Sequence, residues 1–77
     1  MTGNHYGAGR TRFNLAVMYV QAAVPEASPA RRQDLLRRGL AYAQASLRDY
    51  QHFQGRAAAD EADARGLIEL IEGALGV

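Results

Sequence analysis

The sequence predicts an all-α protein of three helices in a single module, and two observations lead there. Apolar residues recur with a helical period in three stretches parted by breaks that contain Pro or Gly. No alternating run of β-branched residues reads as a strand. Helices are expected over about residues 8–23, 29–54 and 57–75, within one domain spanning 1–77. Residues 1–7 are expected to fray, because Gly3, Gly7 and Gly9 each weaken a helix by about 1 kcal/mol relative to Ala.

In the first helix, Phe13, Leu15, Ala16, Val17, Tyr19 and Val20 lie on one broad side, which Ala22, Ala23 and Val24 extend. The polar remainder is a narrow stripe of Arg10, Thr11, Asn14 and Gln21, interrupted by Met18. A helix this apolar requires cover on two sides. Pro25 then breaks the pattern, and so short a connection makes the first two helices antiparallel neighbours.

The second stretch, from Ser28 to Gln54, is the longest periodic segment. Ser28 suits the N-cap, Pro29 the first helical position, and Gly55 the stop. Tyr42, Leu35, Phe53, Gly39, Tyr50, Ala43, Leu36, Leu47 and Leu40 fall within an arc of about 160°. One neighbour cannot cover so wide an arc, so this helix is expected to lie between partners, in this chain or another.

The third helix places Asp60, Glu61 and Asp63 near its start, where carboxylates favour the positive end of the dipole. Ala64, Leu67, Ile68, Leu70, Ile71, Ala74 and Leu75 form its expected buried arc, and Gly76 is a plausible stop.

Composition narrows the function classes. Cys is absent, so disulfides are excluded, and two His are too few for a structural metal site. Fifteen of the apolar residues are Ala, which makes the core thin. No apolar run approaches the roughly 18 residues that span a bilayer, and no signal-peptide pattern precedes the first helix, so a cytoplasmic location is expected. Charge is segregated. Residues 1–56 hold eight Arg against Glu26, Asp34 and Asp49, whereas residues 57–77 hold five carboxylates against Arg65. An acidic last helix beside a basic body favours docking of one on the other, within or between chains.

Arg12-x-x-Leu15-Ala16-x-x-Tyr19 and Gly39-x-x-x-Ala43-x-x-Ser46-Leu47 together resemble a tetratricopeptide repeat (TPR), a helix-turn-helix unit of about 34 residues. The stretches GAGRTRFNLA, GLAYAQASLRDYQ and AAADEADARGLIELI resemble the last repeat and capping helix of bacterial TPR arrays. The resemblance implies small residues, Ala16, Gly39, Ala43 and Ser46, where two helices approach closely. Arg12 departs from the Trp that the motif prefers, about eleven extra residues separate the two helices, and no Pro closes the second. Ile68 stands where the motif has a small residue, as an end cap with no following helix would show. Because one and a half units do not complete a solenoid, the resemblance implies either the terminal part of a longer array or, if the chain is complete, a homo-oligomer.

The candidate site residues follow from these readings. Leu36, Leu40, Leu47, Tyr50 and Phe53 are the expected anchors of a contact with a protein partner, either a second copy or the remainder of an array. The family resemblance implies a peptide groove on Arg10, Phe13, Asn14, Val17 and Gln21, although an exposed Asn and Arg need no ligand. Arg31, Arg32, Arg37 and Arg38 are the best case for nucleic acid, but Asp34 lies among them and the pI is near 8. His5 and His52 are isolated, and Gly7-x-Gly9-x-x-Arg12 lacks the third Gly, the preceding strand and the Lys of a phosphate loop. No nucleophile with its base and no metal cage emerges, so the sequence predicts a non-catalytic protein without a cofactor.

Overall fold

The computed structural model of the chain describes residues 4–77, without the side chains of Asn4 and His5. Among the described residues there are three helices and no strand: α1 (Asn4–Ala23), α2 (Pro29–Gln51) and α3 (Ala58–Leu75). The architecture is the one the periodicity predicts, with corrections at the helix ends.

α1 begins at Asn4, so residues 4–7 are helical where fraying was expected, and residues 1–3 lie outside the described residues. Packing opposes the glycine cost. The Tyr6 ring sits 5.8 Å from Tyr50 and 5.8 Å edge-on from Phe53, which ties the first turns of α1 to the far end of α2. Gly9 is needed for that approach, since a Cβ there would lie 2.9 Å from Tyr50 Cε1 and 3.2 Å from Asp49 Cβ.

At the start of α2, Ser28 caps as expected, its hydroxyl accepting from the Arg31 amide, with Pro29 following in the first turn. The helix ends at Gln51 rather than Gln54, because the chain tightens before it reaches Gly55. The amides of His52, Phe53 and Gln54 donate three residues back, and Gln54 and Gly55 then take positive φ of 51° and 93°. Phe53 is thereby lifted off the helix. α3 starts at Ala58 and closes with Gly76 in the left-handed region, whose amide and that of Val77 both donate to the Glu72 carbonyl.

α2 is the middle element, with α1 and α3 both packed on it and scarcely touching each other. Gly9 lies by Asp49 and Tyr50, and Ala16 by Gly39, so α1 and α2 are antiparallel. Ile71 meets Gly39 while Ala57 and Ala64 cluster with Tyr50, so α3 is antiparallel to α2 and parallel to α1. Ala16, Gly39, Ala43 and Ser46, the expected small set, are all buried. A Cβ on Gly39 would stand 3.3 Å from the Ala16 carbonyl oxygen and 3.7 Å from Ile71 Cδ1, so all three helices meet at that glycine.

The core has two parts. One gathers Ala16, Ala23, Leu36, Ala43 and Ile71, and the other gathers Tyr50, Ala57 and Ala64 with Phe13, Leu47 and Phe53 packed around them. The Cα extents are 41 × 21 × 14 Å. The radius of gyration of 12.8 Å exceeds the roughly 11.5 Å of a compact chain of this length. Three helices laid side by side in so thin a slab leave much of α1 and α3 uncovered.

Candidate interaction surface

The anchors expected on α2 are largely absorbed by the chain itself. Leu36 and Tyr50 are buried, and Leu40, Leu47 and Phe53 are half-buried against the two core clusters. The wide apolar arc of α2 is closed mainly by α1 on one flank and α3 on the other. Leu36 and Tyr50 are therefore not surface anchors.

Surplus apolar surface lies instead on the outer helices. Val24 is 80% exposed, Met18 61% and Leu70 60%. Leu70 and Ala74, expected in the buried arc of α3, are both exposed, because α3 has a neighbour on one side only. The two-sided cover expected for α1 is likewise missing, with Met18 and Ala22 exposed and Leu15 and Val17 half-buried.

Between the C-terminal ends of α1 and α3, which run parallel, lies an apolar groove of about 270 Å³. Val20, Ala23 and Val24 form one wall, Leu70 and Ala74 the other, and Leu36 the floor, with Arg32 at the edge. The Arg32 Nε donates to the Glu26 carbonyl at 3.2 Å, which holds the guanidinium beside the groove. Periodicity alone does not reveal this site, since Val24 and Leu70 look like ordinary members of apolar faces. The one signal in the sequence is the surplus of apolar residues on α1 over what a single neighbour covers.

The expected peptide-groove residues are brought together only in part. Arg10, Asn14 and Gln21 are exposed on the outer stripe of α1, whereas Phe13 turns inward to Tyr50 and Phe53, and Val17 is half-buried. Of the Arg quartet on α2, Arg38 pairs with Asp34 at 3.0 Å. The Tyr19 hydroxyl, accepting from Arg38, and the Asp34 charge together raise the pKa of this guanidinium. Tyr19 also stacks on Tyr42 at 5.7 Å.

Arg12 bonds to the buried Asp49 at 2.6 Å, on the floor of a shallow dent that Arg48 and His52 also line. His52 is exposed, and the side chain of His5 lies outside the described residues. Among the described residues no three His, Asp or Glu side chains converge as a metal site would require, and no helix is long and apolar enough to cross a membrane.

The charge segregation is not resolved inside the chain. Among the described residues the ion pairs are Arg12–Asp49, Arg38–Asp34 and Arg65–Glu61, and none joins an acid of α3 to a base of α1 or α2. No family model matches the chain, and neither a curated protein nor a solved structure matches it.

Proposed function

We propose that this chain is a non-catalytic protein–protein interaction module, TPR-like in its hairpin and capping helix. It acts in the cytoplasm by burying an apolar helix surface against a second copy of itself or the remainder of a repeat array. The observation that carries this reading is the groove between α1 and α3, with Val24 and Leu70 held exposed on its opposite walls. A thin slab with a small Ala-rich core gains much from covering such a surface. The unmatched charges of α2 and α3 add long-range attraction between molecules.

Sedimentation equilibrium across a wide concentration range tests the self-associating form. A reversible shift from monomer to a larger species at unchanged helix content is expected. A fully helical monomer at every concentration counts against it.

A second reading, a peptide receptor on the outer stripe of α1, draws on the joint exposure of Arg10, Asn14 and Gln21. On that reading Asn14→Ala costs partner affinity and leaves folding intact. A nucleic-acid role has less support, since Arg38 of the quartet already pairs with Asp34 and the net charge of the chain is only +1. Salt-insensitive, flat titrations against duplex DNA would remove it.

A further inference from the structure

We infer that the groove between α1 and α3 is one half of a two-fold symmetric dimer contact, in which Leu70 of each copy enters the groove of the other. The inference rests on the self-associating reading above and names the surface and register through which it operates.

A two-fold contact needs a surface that is its own complement. Here the knob and the hole lie side by side. Leu70 projects from one wall, and the apolar space next to it is floored by Leu36 and closed on the far side by Val20, Ala23 and Val24. Two copies facing each other across an axis near Leu70 cover both exposed leucines and both grooves at once.

The charges fit the same axis. Ile71 Cδ1 lies 3.7 Å from the Cβ position of Gly39, so Leu70 is about level with Gly39 along the slab. Arg32 lies seven residues from Gly39 toward the start of α2, about 10.5 Å along its axis. Asp63 lies seven residues from Leu70 toward the start of α3, again about 10.5 Å, in the opposite direction along the slab. A two-fold axis that runs across α3 at Leu70 reverses the direction of this helix, so it brings Asp63 of one copy level with Arg32 of the other, twice per dimer.

Asp63 lies two turns from Leu70 on nearly the same face of α3. It is exposed and forms no ion pair within the chain among the described residues. Arg32 is exposed at the groove edge, and its one bond goes to a backbone carbonyl. The contact thus supplies each charge with the partner that its own chain does not. It also adds, between chains, the ion pair between an acid of α3 and a base of α2 that the packing of α3 on α2 within one chain leaves unmade.

The test is sedimentation equilibrium on the full chain and on four variants, with circular dichroism as the folding control. Leu70→Glu is expected to weaken dimerisation by about 100-fold or more, since it places a carboxylate in the partner's apolar groove. Arg32→Glu and Asp63→Arg are each expected to weaken it about 5- to 10-fold, and their combination to recover to within about 3-fold of the parent. Because all three positions are exposed, helix content should not change. A parent chain that stays monomeric overturns both this contact and self-association. A parent dimer indifferent to Leu70→Glu, or a charge reversal without recovery in the combination, overturns this contact alone and leaves self-association standing through another surface.

Discussion

The Arg12 guanidinium lies 2.6 Å from the carboxylate of Asp49, which is only 7% exposed, and this pair joins α1 to α2 beside the Gly9–Tyr50 approach. Arg12 remains partly in water, so its own desolvation is modest, whereas the carboxylate of Asp49 is buried and needs polar partners inside the fold. Arg12→Ala is expected to destabilise the chain by about 1–3 kcal/mol, by removing the cation from beside a carboxylate that stays buried. Combining Arg12→Met with Asp49→Leu should cost less than the sum of the single changes, because no charge is then left inside. Urea unfolding of the single and double variants measures both quantities. Equal and additive losses would show that the pair is uncoupled.

Glycines of α1 and α3 should respond oppositely to the same substitution. Gly9→Ala raises helix propensity, but its Cβ would stand 2.9 Å from Tyr50 Cε1, and the ring is buried and cannot simply swing away. A net destabilisation of about 1–3 kcal/mol is expected from overpacking. Gly66→Ala meets nothing within 4 Å and should stabilise by about 0.5–1 kcal/mol. Thermal melts of both variants decide the point. A stabilised Gly9→Ala would mean that α1 and α2 leave room for a methyl group at their crossing.

Alkali should unfold the chain partly through Tyr50. Burial raises this phenol above its ordinary value, and the carboxylate of Asp60, with a smaller push from Asp63, adds to the rise while Arg10 opposes it. An unfolded Tyr ionises near about pH 10, so above that pH the folded state holds a proton that the unfolded state has released. Stability is therefore fully present below about pH 10 and falls as the pH climbs through the folded value. Tyr50→Phe should flatten that decline with little effect at neutral pH, as read from urea midpoints across the alkaline range. A decline of the same steepness in the variant would assign it to other tyrosines.

The fold is legible in the sequence because each helix announces itself locally. Ser28 and Pro29 start α2, Gly76 stops α3, and the small residues Ala16, Gly39, Ala43 and Ser46 mark where helices come close. The start of α1 is not legible, since Gly3 and Gly7 read as breakers until Tyr6 is seen against Tyr50 and Phe53. The end of α2 escapes because Phe53 keeps the helical period while the left-handed Gln54 and Gly55 end the helix early. The groove escapes for a different reason. An amphipathic wheel says how much of a helix is apolar but not how many neighbours the chain can supply, so Leu36 and Tyr50 look open to a partner and Val24 and Leu70 look covered.

Ile71 offers the sharpest check on how α3 is held. It is fully buried, the largest apolar side chain to be so among the described residues, and its Cδ1 reaches the Gly39 crossing where α1 passes over α2. Few other contacts link α3 to α1, so shortening this side chain opens a cavity that neither helix can readily fill. Ile71→Ala is expected to cost about 2–4 kcal/mol, a large part of the stability that a domain of this size has. Leu70→Ala, one residue along but largely in water, should cost well under about 1 kcal/mol in the monomer. Denaturant titrations of the pair, at concentrations low enough to keep the chain monomeric, separate the two faces of α3. Similar losses at both positions would mean that α3 is rotated about its axis so that Leu70 too faces α2, and no groove wall could then be built on it.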